Sequence, residues 1–263
     1  MWTDVVDLRD FYETAMGMVA RRMVRRRVRQ IWPDVTGMRV LGLGFATPYL
    51  RPFMAEAERT IAAMPAQQGV LHWPPDGDGL TVLTDEMELP FDDLSMDRVL
   101  LVHALENAEP VRPLLREAWR VLAGSGKLLV VTPNRRGLWA RRDRTPLGHG
   151  RPYSGGQLSA LLRDNMFTPV SSQTALFVPP IDSKMLLSSC AAWEKVGSAA
   201  FSHFGGVLIT EASKQLYAGQ TNAAAVKRRY VVTAEGAPWN SPRNGARPAA
   251  RLVVQNDPPR HPR

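Results

Sequence analysis

Leu80-Thr81-Val82-Leu83-Thr84, then Asp85-Glu86-Met87-Glu88-Leu89-Pro90-Phe91-Asp92-Asp93, then Asp97-Arg98-Val99-Leu100-Leu101-Val102-His103 is the stretch on which the fold turns. Two apolar runs flank an acidic loop marked by proline. The second run is almost unbroken Val and Leu, the pattern of a strand covered on both faces. Upstream, Met38-Arg39-Val40-Leu41-Gly42-Leu43 is another short apolar run, closing on Gly44, and residues 59–64 form a weaker one. Thr47 is placed to cap a helix that carries Pro48 in its first turn and runs to about Glu58. Downstream, residues 110–122 have helical spacing and stop at Gly124-Ser125-Gly126. Lys127 to Val131 reads as a fifth strand ended by Pro133.

Further along, Ser154 or Gly155 opens a helix with Leu158, Leu161 and Leu162 inward. Residues 170–178 and 206–210 read as two more strands, with a helix across 183–196 between them. This alternation predicts an α/β fold: a Rossmann-like, seven-stranded, mostly parallel sheet with helices on both faces. Ligands of such sheets sit beyond the carboxyl ends of the strands. Function is therefore expected in the loops after Leu43, Met64, Thr84, Val102 and Val131.

The N-terminal segment reads as one helix over residues 7–30. Leu8, Phe11, Tyr12, Ala15, Val19, Met23 and Ile31 make its apolar stripe, and Arg22, Arg25, Arg26 and Arg29 fall on another face. Trp32-Pro33 ends it, because the residue before proline leaves helical geometry. The domain reading is a basic amphipathic helix over 1–36, the α/β domain over 37–218, and a basic, proline-rich tail over 219–263 expected to be disordered.

The chain has 263 residues and a formal charge of +8, with the excess at its ends rather than in the acidic middle. No stretch nears the ~20 apolar residues that cross a bilayer, and no signal-peptide core follows Met1. The single cysteine, Cys190, forms no internal disulfide. A cytoplasmic location fits all three. The five histidines lack ligand spacing, so no metal is expected. Arg21 to Arg29 and a second cluster over 135–144 suit an anionic membrane surface. Nucleic acid is disfavoured, since only Trp139 interleaves the second cluster.

The first loop, Gly42-x-Gly44-x-x-Thr47, fits a dinucleotide fingerprint as readily as a nucleoside-binding loop. The order of the later pieces separates the two. Asp85 to Phe91, Ser95-Met96-Asp97-Arg98-Val99, His103-Ala104-Leu105-Glu106, and Glu117-Ala118-Trp119-Arg120-Val121-Leu122 before Gly124 and Gly126 follow one another at fixed spacing. This succession resembles the class I methyltransferases of the type 11 group, which use S-adenosylmethionine (SAM) and include ubiquinone and menaquinone biosynthesis enzymes. The resemblance spans about residues 38–135. A nicotinamide oxidoreductase has no reason to carry Leu89-Pro90-Phe91 or Glu117 to Leu122 in this order.

The resemblance implies roles. Gly42, Leu43 and Gly44 lie under the methionine part of SAM. Asp85 receives the adenine amino group, and Glu86 and Met87 flank the ring. His103 ends the fourth strand near the transferred methyl, and with His149 it is a candidate general base for an acceptor that loses a proton. In the loop after strand five, Arg151 and Tyr153 are expected to hold the acceptor, a small or lipid-like molecule.

The first loop also departs from the family and reads as degenerate. Gly42 stands where an acidic residue is usual, Ala46 and Pro48 replace glycines, and Ala62-Ala63-Met64-Pro65-Ala66-Gln67 has no carboxylate for the ribose. Gln67 is the one polar side chain left to replace it. Each lost charge-assisted hydrogen bond costs about 1.5–3 kcal/mol. The alternative reading is thus a methyltransferase-fold protein that binds a partner or membrane without catalysis. The catalytic reading requires space beside Gly44, free of Phe45–Pro48 and of the Met64 side chain.

Overall fold

The unbroken apolar run is β4 (Met96–Val102), and its composition follows from its place at the centre of the sheet. It pairs in parallel with β1 (Arg39–Gly44) on one side and β5 (Leu122–Pro133) on the other. Its side chains alternate between two cores: Leu100 and Val102 enter one buried cluster, Val99 and Leu101 the other. These observations come from a computed structural model, which describes residues 4–181, 183, 188–201 and 203–216. The tail expected over 219–263 lies outside the described residues.

Outside β1 lie β2 (Arg59–Pro65) and β3 (Thr81–Thr84), both parallel. Beyond β5 comes β7 (Val207–Lys214), which runs antiparallel to β5 and to the edge strand β6 (Phe167–Ala175). The seven strands stand in the order β3-β2-β1-β4-β5-β7-β6. The order reverses between β1 and β4, so their carboxyl ends form the switch-point crevice.

One core cluster packs the first sheet face against α1 (Val5–Glu13), α2 (Ala15–Ile31) and α3 (Thr47–Leu50), with Cys190 of α6 (Cys190–Ala200). The other packs the second face against α4 (Val111–Val121) and α5 (Gly155–Asp164). Ser154 caps α5 in a reciprocal pair with Gln157. Among the described residues no helix is long and apolar enough to cross a membrane.

Two local expectations are corrected. Residues 7–30 are two helices, not one. Thr14 leaves helical geometry at ψ 159°, and its hydroxyl accepts from Gly17 N at 3.0 Å while donating to Phe11 O at 2.7 Å. A β-carbon on Gly17 would lie 1.9 Å from Phe11 O, so only glycine lets the elbow fold this tightly. The helix after β1 ends at Leu50 instead of Glu58, with a 3-10 turn over Arg51–Phe53. Pro52 has no N–H to give to Pro48, and the α-helical ladder stops there. Ala46, not Thr47, occupies the cap position.

Candidate active site

Parallel register sets the functional positions along one edge. Gly44 lies beside Val102, and Pro65 beside Thr84. The residues that follow, Phe45, Ala66, Asp85 and His103, therefore emerge together at the carboxyl rim.

His103 is the most constrained of them. It holds a left-handed backbone at φ 51°, a conformation that persists in a non-glycine residue only where its surroundings impose it. Gln68 Nε2 and Asn107 Nδ2 donate to its carbonyl at 2.6 and 3.1 Å. Its ring is buried between two partners. Tyr12 Oη lies 2.8 Å from Nε2, and Glu106 Oε1 lies 3.2 Å from Nδ1, with the His103 and Glu106 side chains only 2% and 1% exposed. Tyr49 donates to Tyr12 Oη at 3.0 Å. Tyr12's own hydrogen is then free for His103 Nε2, which leaves the ring proton on Nδ1, facing Glu106. Both Glu106 oxygens lack a well-formed hydrogen bond. Burial pushes the Tyr12 and Tyr49 hydroxyls above the usual phenol range, despite nearby Arg21, so both stay protonated at neutral pH.

Tyr12, Tyr49, Glu106 and Gln68 were not singled out by sequence reasoning. Tyr12 sits on the apolar stripe of its helix and reads as core, and only its hydroxyl hinted at a second role. Gln67, the side chain left to replace the ribose carboxylate, is exposed, and the buried glutamine is Gln68. Gln68 serves the chain itself, holding His103 by its side chain and accepting from Val5 N through its carbonyl at 2.8 Å.

The seat expected for SAM can be tested against these contacts. A β-carbon on Gly44, at φ 84°, would lie 2.3 Å from Val102 O, and one on Gly42 would lie 2.6 Å from the side chains of Ala46 and Leu50. Both glycines are thus required by contact with their own chain, and neither opens a cradle. Phe45 is buried and stacks on Tyr12 at 5.7 Å between ring centroids, and Met64 is 1% exposed. The free space that remains between Phe45, Met64 and α1 is about 260 Å³. Cofactor and ligand sites run to about 300–1,000 Å³. With α1 in this place the residues do not fit the whole donor. The side chains of Tyr12 and Phe45 close the seat.

Asp85 follows β3 as expected but is exposed, and its carboxylate accepts from Met87 N at 2.8 Å. Glu86 is buried, which raises its carboxyl above the usual range, and Met87 is exposed. The loop is held by α4 rather than by a ligand. Leu89 N donates to Glu117 at 2.8 Å, while Arg120 donates to the carbonyls of Leu89 and Phe91 and to Asp93 and Glu117. Leu89-Pro90-Phe91 and Glu117-x-x-Arg120 are therefore two halves of one clamp. Removing it in Arg120→Ala is expected to cost about 2–3 kcal/mol in urea unfolding. The Arg120 guanidinium holds the Glu117 carboxyl below the usual range. That stabilisation is complete above the unfolded value of about 4.3 and is lost as pH falls through the lower folded value. Glu117→Gln should flatten the acid limb of a stability–pH curve below about pH 4.3.

The loop after β5 reaches the same rim by its backbone. Arg151 N donates to Glu106 O at 2.8 Å, and a β-carbon on Gly150 would meet Glu106 O at 2.6 Å. His149 is exposed, and it is not brought to His103. Arg151 is 73% exposed, 3.9 Å from Glu109. Tyr153 is half-buried against the second core, which raises its hydroxyl above the usual phenol range. Among the described residues no three His, Cys, Asp or Glu side chains gather as for a metal.

Residues 42–130 match the residue pattern of a methyltransferase domain family. Over 130 residues the chain is 32% identical to demethylmenaquinone methyltransferase of Corynebacterium glutamicum, covering 49% of this chain and 56% of that protein. It is 40% identical over 86 residues to a probable S-adenosylmethionine-dependent methyltransferase of Mycobacterium tuberculosis, or 32% of this chain and 31% of that one. The chain thus spans about half the length of the first of these relatives or less. In fold it matches a SAM-dependent methyltransferase of Thermotoga maritima at a TM-score of 0.56 and 16% identity, covering 80% of this chain and 96% of that one. A SAM-dependent methyltransferase of Archaeoglobus fulgidus gives 0.52 at 19% identity, over 74% and 94% of the two chains. Residues 42–130 thus carry the pattern of a methyltransferase domain, and the sheet has the fold seen in SAM-dependent methyltransferases.

Proposed function

We propose that the protein transfers a methyl group from SAM to a small or lipid-like acceptor. The observation that carries this reading is the rim itself: Gly44, Asp85 and His103 stand at the carboxyl ends of β1, β3 and β4 along one edge of a sheet in the order β3-β2-β1-β4-β5-β7-β6. The cofactor supplies an activated methyl group, and the protein's part is alignment and exclusion of water. His103 is buried behind Tyr12 and takes part through that hydroxyl, with Glu106 orienting the ring from the other side. An acceptor such as a quinol, which the relatives' name suggests, loses a proton on methylation, and this buried chain is the group able to receive one. Exposed arginines of α2 and of residues 135–144 support contact with an anionic membrane surface, where a lipid-like acceptor resides.

Isothermal titration with SAM and S-adenosylhomocysteine tests the reading, on the full chain and on a Tyr12→Ala variant whose seat is open. Heat of binding in either protein supports it. No binding to either protein at near-millimolar concentrations ends it.

A further inference from the structure

Surface helices ordinarily hide their apolar stripe, and α6 is turned the other way. Its inward side holds Cys190, Glu194 and Gly197. Glu194 accepts from Leu176 N and Phe177 N at 3.3 and 3.1 Å, and a β-carbon on Gly197 would lie 2.4 Å from the Phe177 side chain. These contacts fix the rotation of the helix. Its outward side is then Ala192, Trp193, Val196, Ala199 and Ala200, all exposed, within an arc of about 120° at 3.6 residues per turn. Phe201 and Phe204 follow the helix and are 59% and 58% exposed. An apolar face of this kind on a folded domain marks a surface that meets another body.

The ground beside it is cationic. Asn134 Nδ2 donates to His203 O and Gly205 O at 2.9 and 2.7 Å, and a β-carbon on Gly137 would lie 2.6 Å from Gly205 O. The loop after β5, with exposed Arg135, Arg136 and Leu138, is thereby held against the segment that carries Phe204. On the other flank Arg26 and Arg27 of α2 line one depression with Lys195 of α6. Among the described residues none of these five cations is in a salt bridge. The only carboxylate of α6, Glu194, is turned inward to the backbone.

We infer that this face docks on an anionic lipid bilayer, with the outward side of α6, Phe201 and Phe204 seated among the headgroups and the cations on lipid phosphates. The inference rests on the anionic-surface contact proposed above for the arginines and adds an apolar anchor to it. A bilayer matches both halves of the face, because its anionic headgroups stand directly over hydrocarbon. A second copy of the chain would bring the same cations face to face, and like charges juxtaposed oppose association. At 11 residues α6 is far short of a span, so it lies along the membrane rather than across it.

The test is cosedimentation of the full chain with vesicles of mixed phosphatidylglycerol and phosphatidylcholine, against vesicles of phosphatidylcholine alone. At low salt the anionic vesicles should bind at least about tenfold more tightly. Val196→Ser and Phe204→Ser should each lower the partition coefficient about five- to tenfold, and a thermal melt shows that they are folded. Leu83→Ser, an equally exposed site on β3 at the opposite edge of the sheet, should leave it unchanged. Anionic vesicles that bind the parent and both α6-face variants alike overturn the proposal and leave the contact of the arginines standing. Absence of binding to either vesicle ends that contact as well, and methyl transfer is then judged by its own titration with SAM. Self-association without lipid that Phe204→Ser abolishes also overturns the proposal, because a second copy would then be the occupant.

Discussion

Tyr12→Ala is expected to bind S-adenosylhomocysteine at least about tenfold more tightly than the unaltered chain. The ring of Tyr12 stacks on Phe45 above the end of β1, and its hydroxyl joins Tyr49 to His103. Truncating a buried aromatic to alanine costs about 3–5 kcal/mol where nothing refills the space. That energy belongs to the arrangement in which α1 covers the seat, and an arrangement with the seat open does not use it. A third of it, about 1.4 kcal/mol, transferred to the equilibrium between the two is a factor of ten in apparent affinity. The elbow at Thr14 makes the change local, because α2 keeps its own cap and its own contacts with the sheet. Calorimetry on both proteins, with a thermal melt to show that the variant is folded, makes the comparison. Unchanged or weaker binding in a folded variant would mean that α1 is part of the seat rather than its cover.

Gly44→Ala is expected to lose about 2–5 kcal/mol of stability, a large share of the ~5–15 kcal/mol that holds a typical domain. A left-handed backbone costs a side-chain-bearing residue about 1–2 kcal/mol. The added methyl would lie 2.3 Å from Val102 O and 2.9 Å from the Ala104 β-carbon, and relieving such overpacking costs about 1–3 kcal/mol more. Val102 lies in the central strand, so the strain reaches the middle of the sheet. Urea unfolding measures the loss directly. A variant as stable as its parent, but unable to bind the donor, would show instead that Gly44 is kept for the ligand.

Much of the fold was legible because strands buried on both faces announce themselves. Val99 to Val102 has no polar residue to disguise it, and the runs at 38–43 and 127–131 repeat the signal at regular intervals. Helix ends were less legible. The break at Thr14 depends on a hydroxyl that caps one helix while bonding back to the other, and a threonine inside an apolar stripe does not reveal that. In the candidate site, His103 was singled out by the family resemblance and its place at the end of the fourth strand. Its partners were not, because Tyr12 lies 91 positions away and reads as core. His149 was placed near the rim by loop order alone, and the backbone pairing of Arg151 with Glu106 leaves its side chain in solvent.

The order of apolar runs, turns and motif pieces was enough to determine the class of sheet, its rim and the methyltransferase resemblance. These are properties of local composition and spacing, since burial on two faces selects residue types position by position. Which side chains meet at the rim was decided only by the tertiary structure. The register between β1 and β4, the elbow at Thr14 and the packing of α1 bring Tyr12, Phe45 and His103 together from three separate segments. Contacts of that kind arise from closing long loops, and no local pattern in the chain encodes them.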